Sequence, residues 1–82
     1  MEGVSVSEIV KVILLRLSGV VDITDDVSLG HGGLELDSLD KLTAAVELEE
    51  AFGFEISDDD VDDPRMGTPG GIIAYIEERL SA

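Results

Sequence analysis

Leu36-Asp37-Ser38-Leu39-Asp40 joins a glycine-rich stretch, Gly30-His31-Gly32-Gly33, to a run whose apolar residues recur at helical spacing. Asp37 is a strong helix cap, and Asp40 lies where a carboxylate favours the helix dipole. A helix is therefore predicted from about Ser38 to Ala51 or Phe52, stopped by Gly53. At about 100° per residue, Leu42, Ala45, Leu48 and Phe52 share one broad side and are expected to face a core. Leu39 and Val46 fall roughly 120–140° from the centre of that side, among Thr43, Glu47 and Glu50. A core does not need an apolar pair on an acidic face. A protein-docking surface, with a few anchors amid charges, does.

Upstream of this stretch, Val6, Ile9, Val10, Ile13, Leu14 and Leu17 are also helically spaced. They predict a helix from about Ser5 or Ser7 to Leu17, with Ser7 as a cap and Ser18-Gly19 as its end. The connection from Val20 to Leu36 is long, and Gly30, Gly32 and Gly33 keep it irregular. Val21, Ile23, Val27, Leu29 and Leu34 are spaced to pin it onto a core, and a loop this long in so small a domain is commonly functional. Downstream, Asp58 to Asp63 predicts one short helical turn capped by Ser57 or Asp58 and interrupted by Pro64. A last helix begins near Thr68-Pro69, with Ile72, Ile73, Ile76 and Leu80 as its apolar face. Gly70 and Gly71 weaken its start by about 1 kcal/mol each relative to alanine. No period-2 pattern occurs, so the class is all-α: three main helices and one short one, with a long loop between the first two.

An 82-residue chain is one small domain that buries about 60–65% of its unfolded surface. Without cysteine it has neither disulfides nor thiolate metal sites, so 44% hydrophobic content with 4% aromatic must supply an aliphatic core. No apolar run reaches the roughly 18 residues of a membrane span, and the N-terminus lacks a signal-peptide layout. A soluble, cytoplasmic protein is expected. Five Lys and Arg against 19 Asp and Glu give a formal charge of −14. That balance excludes nucleic acid as a ligand and points to partners with basic docking surfaces.

Ser38 combines a hydroxyl with a helix N-terminus, where unpaired N–H groups and the dipole favour an anionic substituent. Nothing near it is a base able to make it a nucleophile. The only histidine, His31, lies seven residues away, and no Gly-x-Ser-x-Gly element is present. This is a serine suited to carrying a group rather than attacking one, and no catalytic residue is assigned. Calcium loops fail as well. Counted from Asp58, the sixth and twelfth positions are Asp63 and Pro69, and from Asp22 they are Val27 and Gly33. No metal site is expected.

The chain resembles the acyl carrier protein family. Asp37-Ser38-Leu39 matches the motif at the start of the family's second helix, with Leu34 before it and Asp40 after it. The likeness continues through Leu48-Glu49-Glu50-Ala51-Phe52-Gly53 to Ile56, and resumes at Thr68 and Ile73-Ala74-Tyr75-Ile76. It implies a four-helix bundle and a single carrier domain over residues 1–82. It also implies 4′-phosphopantetheine on Ser38, placed there from coenzyme A by a phosphopantetheinyl transferase, with Asp37 and Leu39 flanking the attachment point. Asp37 would assist the transferase by holding its metal or orienting the hydroxyl. Asp40, Val46, Glu47, Glu49 and Glu50 would meet basic patches on acyl-loading, ketosynthase-type and other biosynthetic enzymes, the carrier itself being a monomer. The Gly30–Leu36 loop is longer and richer in glycine than in fatty-acid carriers. Thr43 replaces a common acid, Lys41 adds a cation, and Asp62–Gly67 is extended by about two residues. These departures fit a carrier for a specialised lipid or polyketide-like pathway. A peptidyl or aminoacyl carrier, or an unmodified acidic adaptor domain, are the competing readings.

Overall fold

Helices form where the apolar spacing places them. In the computed structural model, which describes residues 5–81, α1 runs Val6–Ser18, α2 Ser38–Phe52, α3 Asp58–Val61 and α4 Pro69–Ser81. A 3₁₀ turn, Pro64–Gly67, lies between α3 and α4, and no strand occurs among the described residues. The fold is an all-α bundle of three main helices and one short one.

The helix ends follow local chemistry. Asp37 caps α2 and Ser57 caps α3, as the sequence predicts. The cap of α1 is Ser5, whose hydroxyl accepts the Glu8 N–H at 3.1 Å, and not Ser7. Val6 is already helical, which leaves Ser7 inside the first turn. Gly19 and Gly53 close α1 and α2 in the left-handed conformation.

The core draws on every main element. Val10, Ile13 and Leu14 of α1 meet Ala44, Ala45 and Leu48 of α2 and Ile72, Tyr75 and Ile76 of α4. α1 packs against both other long helices, and the 3₁₀ turn packs on α4. Three expected core residues lie outside it. Leu42 is half exposed, because the apolar arc of α2 centres on Ala44 and Leu48 and Leu42 lies about 120° around the helix from Leu48. Leu80 is half exposed because residues 77–81 are all exposed, so the last turn of α4 lies beyond the apolar core. Val21 is 86% exposed, and the loop is pinned instead by Leu29 and Leu34, with Ile23 and Val27 partly buried.

Glycine at the start of α4 has a packing role that outweighs its poor helix propensity. A Cβ on Gly71 would be driven into the carbonyl of Arg65, so the 3₁₀ turn approaches α4 this closely only over a glycine. The neighbouring Gly70 N–H donates to the Asp25 carbonyl at 2.8 Å and ties the long loop to the same point.

A polar cluster fastens the short helix to the body. The Tyr75 hydroxyl donates to Asp60 at 2.6 Å and accepts from Arg79 at 2.9 Å, and the Arg79 guanidinium lies 4.7 Å over the Phe54 ring. Burial, then the bond to Asp60, pushes the Tyr75 phenol above its ordinary range. Its stabilisation is therefore complete below the unfolded value of about 10 and is lost as pH rises through the higher folded value. Wild-type stability, followed by urea denaturation between pH 8 and pH 11, should fall more steeply above about pH 10 than that of Tyr75→Phe. Parallel curves would show that Tyr75 ionises alike in both states.

Candidate functional site

The residues before α2 form a folded mount, although none is in a helix. Leu29, Leu34 and Leu36 are all buried. The Leu29 N–H donates to Gly67 at 3.0 Å, Leu36 to Leu29 at 2.8 Å, and Leu34 to Ser28 at 2.8 Å. Gly33 lies so close to Ser28 that a Cβ there would collide with its carbonyl. Among the described residues, Glu35 is the one non-glycine residue with a positive φ, +57°, and its carboxylate accepts the Gly32 N–H at 2.7 Å. This turn sends Leu36 inward and lets Asp37 emerge extended.

Asp37 then sets the helix. Its Oδ1 accepts the Asp40 N–H at 2.8 Å, and Asp40 reaches back to the Asp37 N–H at a longer 3.5 Å, completing a capping box. Ser38 is the first helical residue and is exposed. The amides of Ser38 and Leu39 precede the first intrahelical bond, so the hydroxyl stands where backbone donors converge. His31 is exposed in the loop.

Beside Ser38 opens a cleft of about 540 Å³ between α2 and the α3–3₁₀ segment, lined by Leu29, Ser38, Leu42, Leu48, Val61 and Met66 among others. Leu42 is therefore displaced from the core to the wall of this cleft. A hydroxyl exposed at the edge of a cleft lined by both apolar and charged side chains suits a long substituent with an anionic root and an apolar end. The approach of the α3–3₁₀ segment to α2 is a tertiary feature, so residue spacing alone does not reveal the cleft.

The predicted docking residues separate into two groups. Leu39 and Val46 are exposed, as predicted, and Leu42 joins them on one face with Glu50. Glu47 pairs with Arg16 of α1 instead, and a Glu49 oxygen accepts the Ile56 N–H at 2.7 Å, fixing the turn after α2. Asp40 is partly buried within the capping box. Sequence spacing carries no sign of the partners of Glu47 and Glu49, which lie seven residues or more away.

An acyl carrier protein of Chlamydia trachomatis serovar D is 39% identical over 78 residues, covering 92% of this chain and 96% of that one. A family model described as a phosphopantetheine attachment site matches residues 6–76. The chain belongs to the acyl carrier protein family. The acyl carrier protein of Chlamydia muridarum is 46% identical over 46 residues, 56% of this chain and 57% of that one. A D-alanyl carrier protein of Abiotrophia defectiva is 37% identical over 57 residues, 70% and 71% of the two chains. The domain is thus of the kind that holds 4′-phosphopantetheine covalently, and carrier proteins of this kind are generally non-catalytic. No helix among the described residues is long and apolar enough to cross a membrane.

The capping role of Asp37 has a measurable size. Asp37→Ala should lower unfolding free energy by about 1 kcal/mol, within the roughly 0.5–2 kcal/mol of lost caps, while Asp37→Asn keeps most of it. Denaturant titration of the three proteins checks this. Equal stability of the alanine variant and the wild type would remove Asp37 as the cap.

Proposed function

We propose that Ser38 is the attachment point of 4′-phosphopantetheine, and that the loaded chain carries acyl groups as thioesters between biosynthetic enzymes. The carrying observation is the exposed Ser38, held at the capped N-terminus of α2 beside a cleft with an apolar floor. A phosphopantetheinyl transferase is the partner that loads it. The Ser38 oxygen forms a bond to phosphorus while the pyrophosphate link of coenzyme A breaks. Adenosine 3′,5′-bisphosphate leaves, and the hydroxyl proton passes to the transferase. When bound, the group supplies a thiol on a long flexible arm.

This chain's own residues present and orient. Asp37 holds the first turn with one carboxylate oxygen and keeps Ser38 at the surface. The unpaired first-turn amides favour the negative charge that attachment brings. Leu39, Leu42 and Val46 offer apolar anchors beside Glu50, for partners whose docking patches are basic. Glu47 and Glu49 serve first as internal ties and only then as surface charge. The glycine-rich mount and Lys41 support service in a specialised lipid or polyketide-like pathway, with the chain working as a cytoplasmic monomer. The D-alanyl relative favours one second reading, an aminoacyl group as cargo.

Intact-mass spectrometry of the chain, incubated with coenzyme A and a promiscuous phosphopantetheinyl transferase, should show one added phosphopantetheine, and Ser38→Ala should abolish it. Unchanged mass in the wild type, or labelling that survives Ser38→Ala, overturns the assignment.

A further inference from the structure

Four of the five cationic side chains are held by carboxylates. Lys11 pairs with Asp25 at 2.9 Å, Arg16 with Glu47, Arg65 with Glu78 at 2.9 Å, and Arg79 with Asp60 at 3.5 Å. Among the described residues, Lys41 is the one cation with no carboxylate within 4 Å, in a chain holding 19 acids. Its position runs against local rules. Lys41 is the fourth residue of α2, at the positive end of the helix dipole, where a cation is disfavoured. Departures from local preference are expected at functional or strained sites.

Its side chain is also placed. Lys41 lines the cleft that Ser38 borders and is the only cation among the lining residues. Its ammonium lies over Gly30, where a Cβ would stand 3.2 Å from Nζ, so the loop glycine leaves the tip of the lysine room. Ser38 and Lys41 are three residues apart on one helix, a spacing that makes side chains neighbours. Asp62 and Asp63 line the far side of the same cleft. Asp63 is already paired with Arg65 at 3.6 Å, whereas Asp62 has no such partner among the described residues and would repel an anion rooted at Ser38.

We propose that Lys41 is the counter-ion of the phosphodiester formed at Ser38, and that it turns the arm into the cleft between α2 and the α3–3₁₀ segment. This rests on the assignment of Ser38 above. Lys41 acts here as a positioning residue. It offsets the first negative charge of the arm, weakens its repulsion by Asp62, and leaves the apolar part of the cleft to the far end of the arm and its cargo.

The chain contains two lysines, so lysine-specific ¹⁵N labelling yields two ammonium signals, with Lys11 as an internal control. After enzymatic loading of the full chain, confirmed by mass, the Lys41 signal should move and the Lys11 signal should stay. The Lys41 displacement should shrink at 1 M salt, where the screening length falls to about 3 Å. The ³¹P resonance of loaded Lys41→Met should differ from that of the wild type, and Lys41→Arg should restore the wild-type position. An unmoved Lys41 signal overturns the proposal, as does a displacement indifferent to salt or a ³¹P position shared by wild type and Lys41→Met. If Lys41→Met resists loading, the wild-type signals still decide. Loading that fails in the wild type would overturn the Ser38 assignment too, whereas loading with an unmoved Lys41 removes the counter-ion alone.

Discussion

Leu36 is buried and Ser38 is exposed, with one extended residue between them, and the rest of the site depends on that reversal. Burying a leucine side chain contributes about 1.5–3 kcal/mol, and the mount buries three, Leu29, Leu34 and Leu36. Against this stands the left-handed backbone of Glu35, a cost of about 1–3 kcal/mol partly offset by its bond to Gly32. Burial wins. The chain therefore enters α2 in one register, in which Asp37 caps and Ser38 faces solvent.

Charge works on a different scale from packing. The ion pairs are largely at the surface, where each contributes about 0–1 kcal/mol, so they do not hold the fold. Their effect is to decide which charges remain available. Arg16 occupies Glu47 and Arg79 joins Asp60 beside Tyr75, while Lys41 stays uncommitted at the entrance of α2. The net charge of −14 is thus unevenly distributed in effect. Among the described residues, a single available cation stands next to the serine that would gain an anion, and an acidic, apolar-studded face stands beside both. In the proposed function, attraction of basic partners and local accommodation of the phosphodiester then use different residues on one helix.

Local chemistry is legible in the sequence. The caps of α2 and α3, the stop at Gly53, and the outward faces of Leu39 and Val46 follow from side-chain type and helical period alone. Legibility ends where tertiary approach decides. Ala44 carries too little hydrophobicity to mark the centre of an apolar arc, so the helical period points Leu42 inward and hides the wall of the cleft. Gly70 and Gly71 read as a weak helix start because the carbonyls they admit, from Asp25 and Arg65, come from elsewhere in the fold. Glu49 looks like a surface acid until the following turn folds back and gives it the Ile56 amide. The signals read at Ser38 are local, lying in the cap, the dipole and the absence of a neighbouring base.

If the segment before α2 is a rigid mount, its amides must exchange like those of a helix and not like those of a loop. Native-state hydrogen exchange, resolved by residue, tests this at Leu29, Leu34 and Leu36, whose N–H groups donate to Gly67, Ser28 and Leu29. Protection at these three amides should come close to that of Ala44 and Leu48 in the centre of α2, because all are released by the same opening. Rapid exchange at the three leucines while α2 stays protected would contradict the account, since Ser38 would then be presented by a helix end that nothing holds in place.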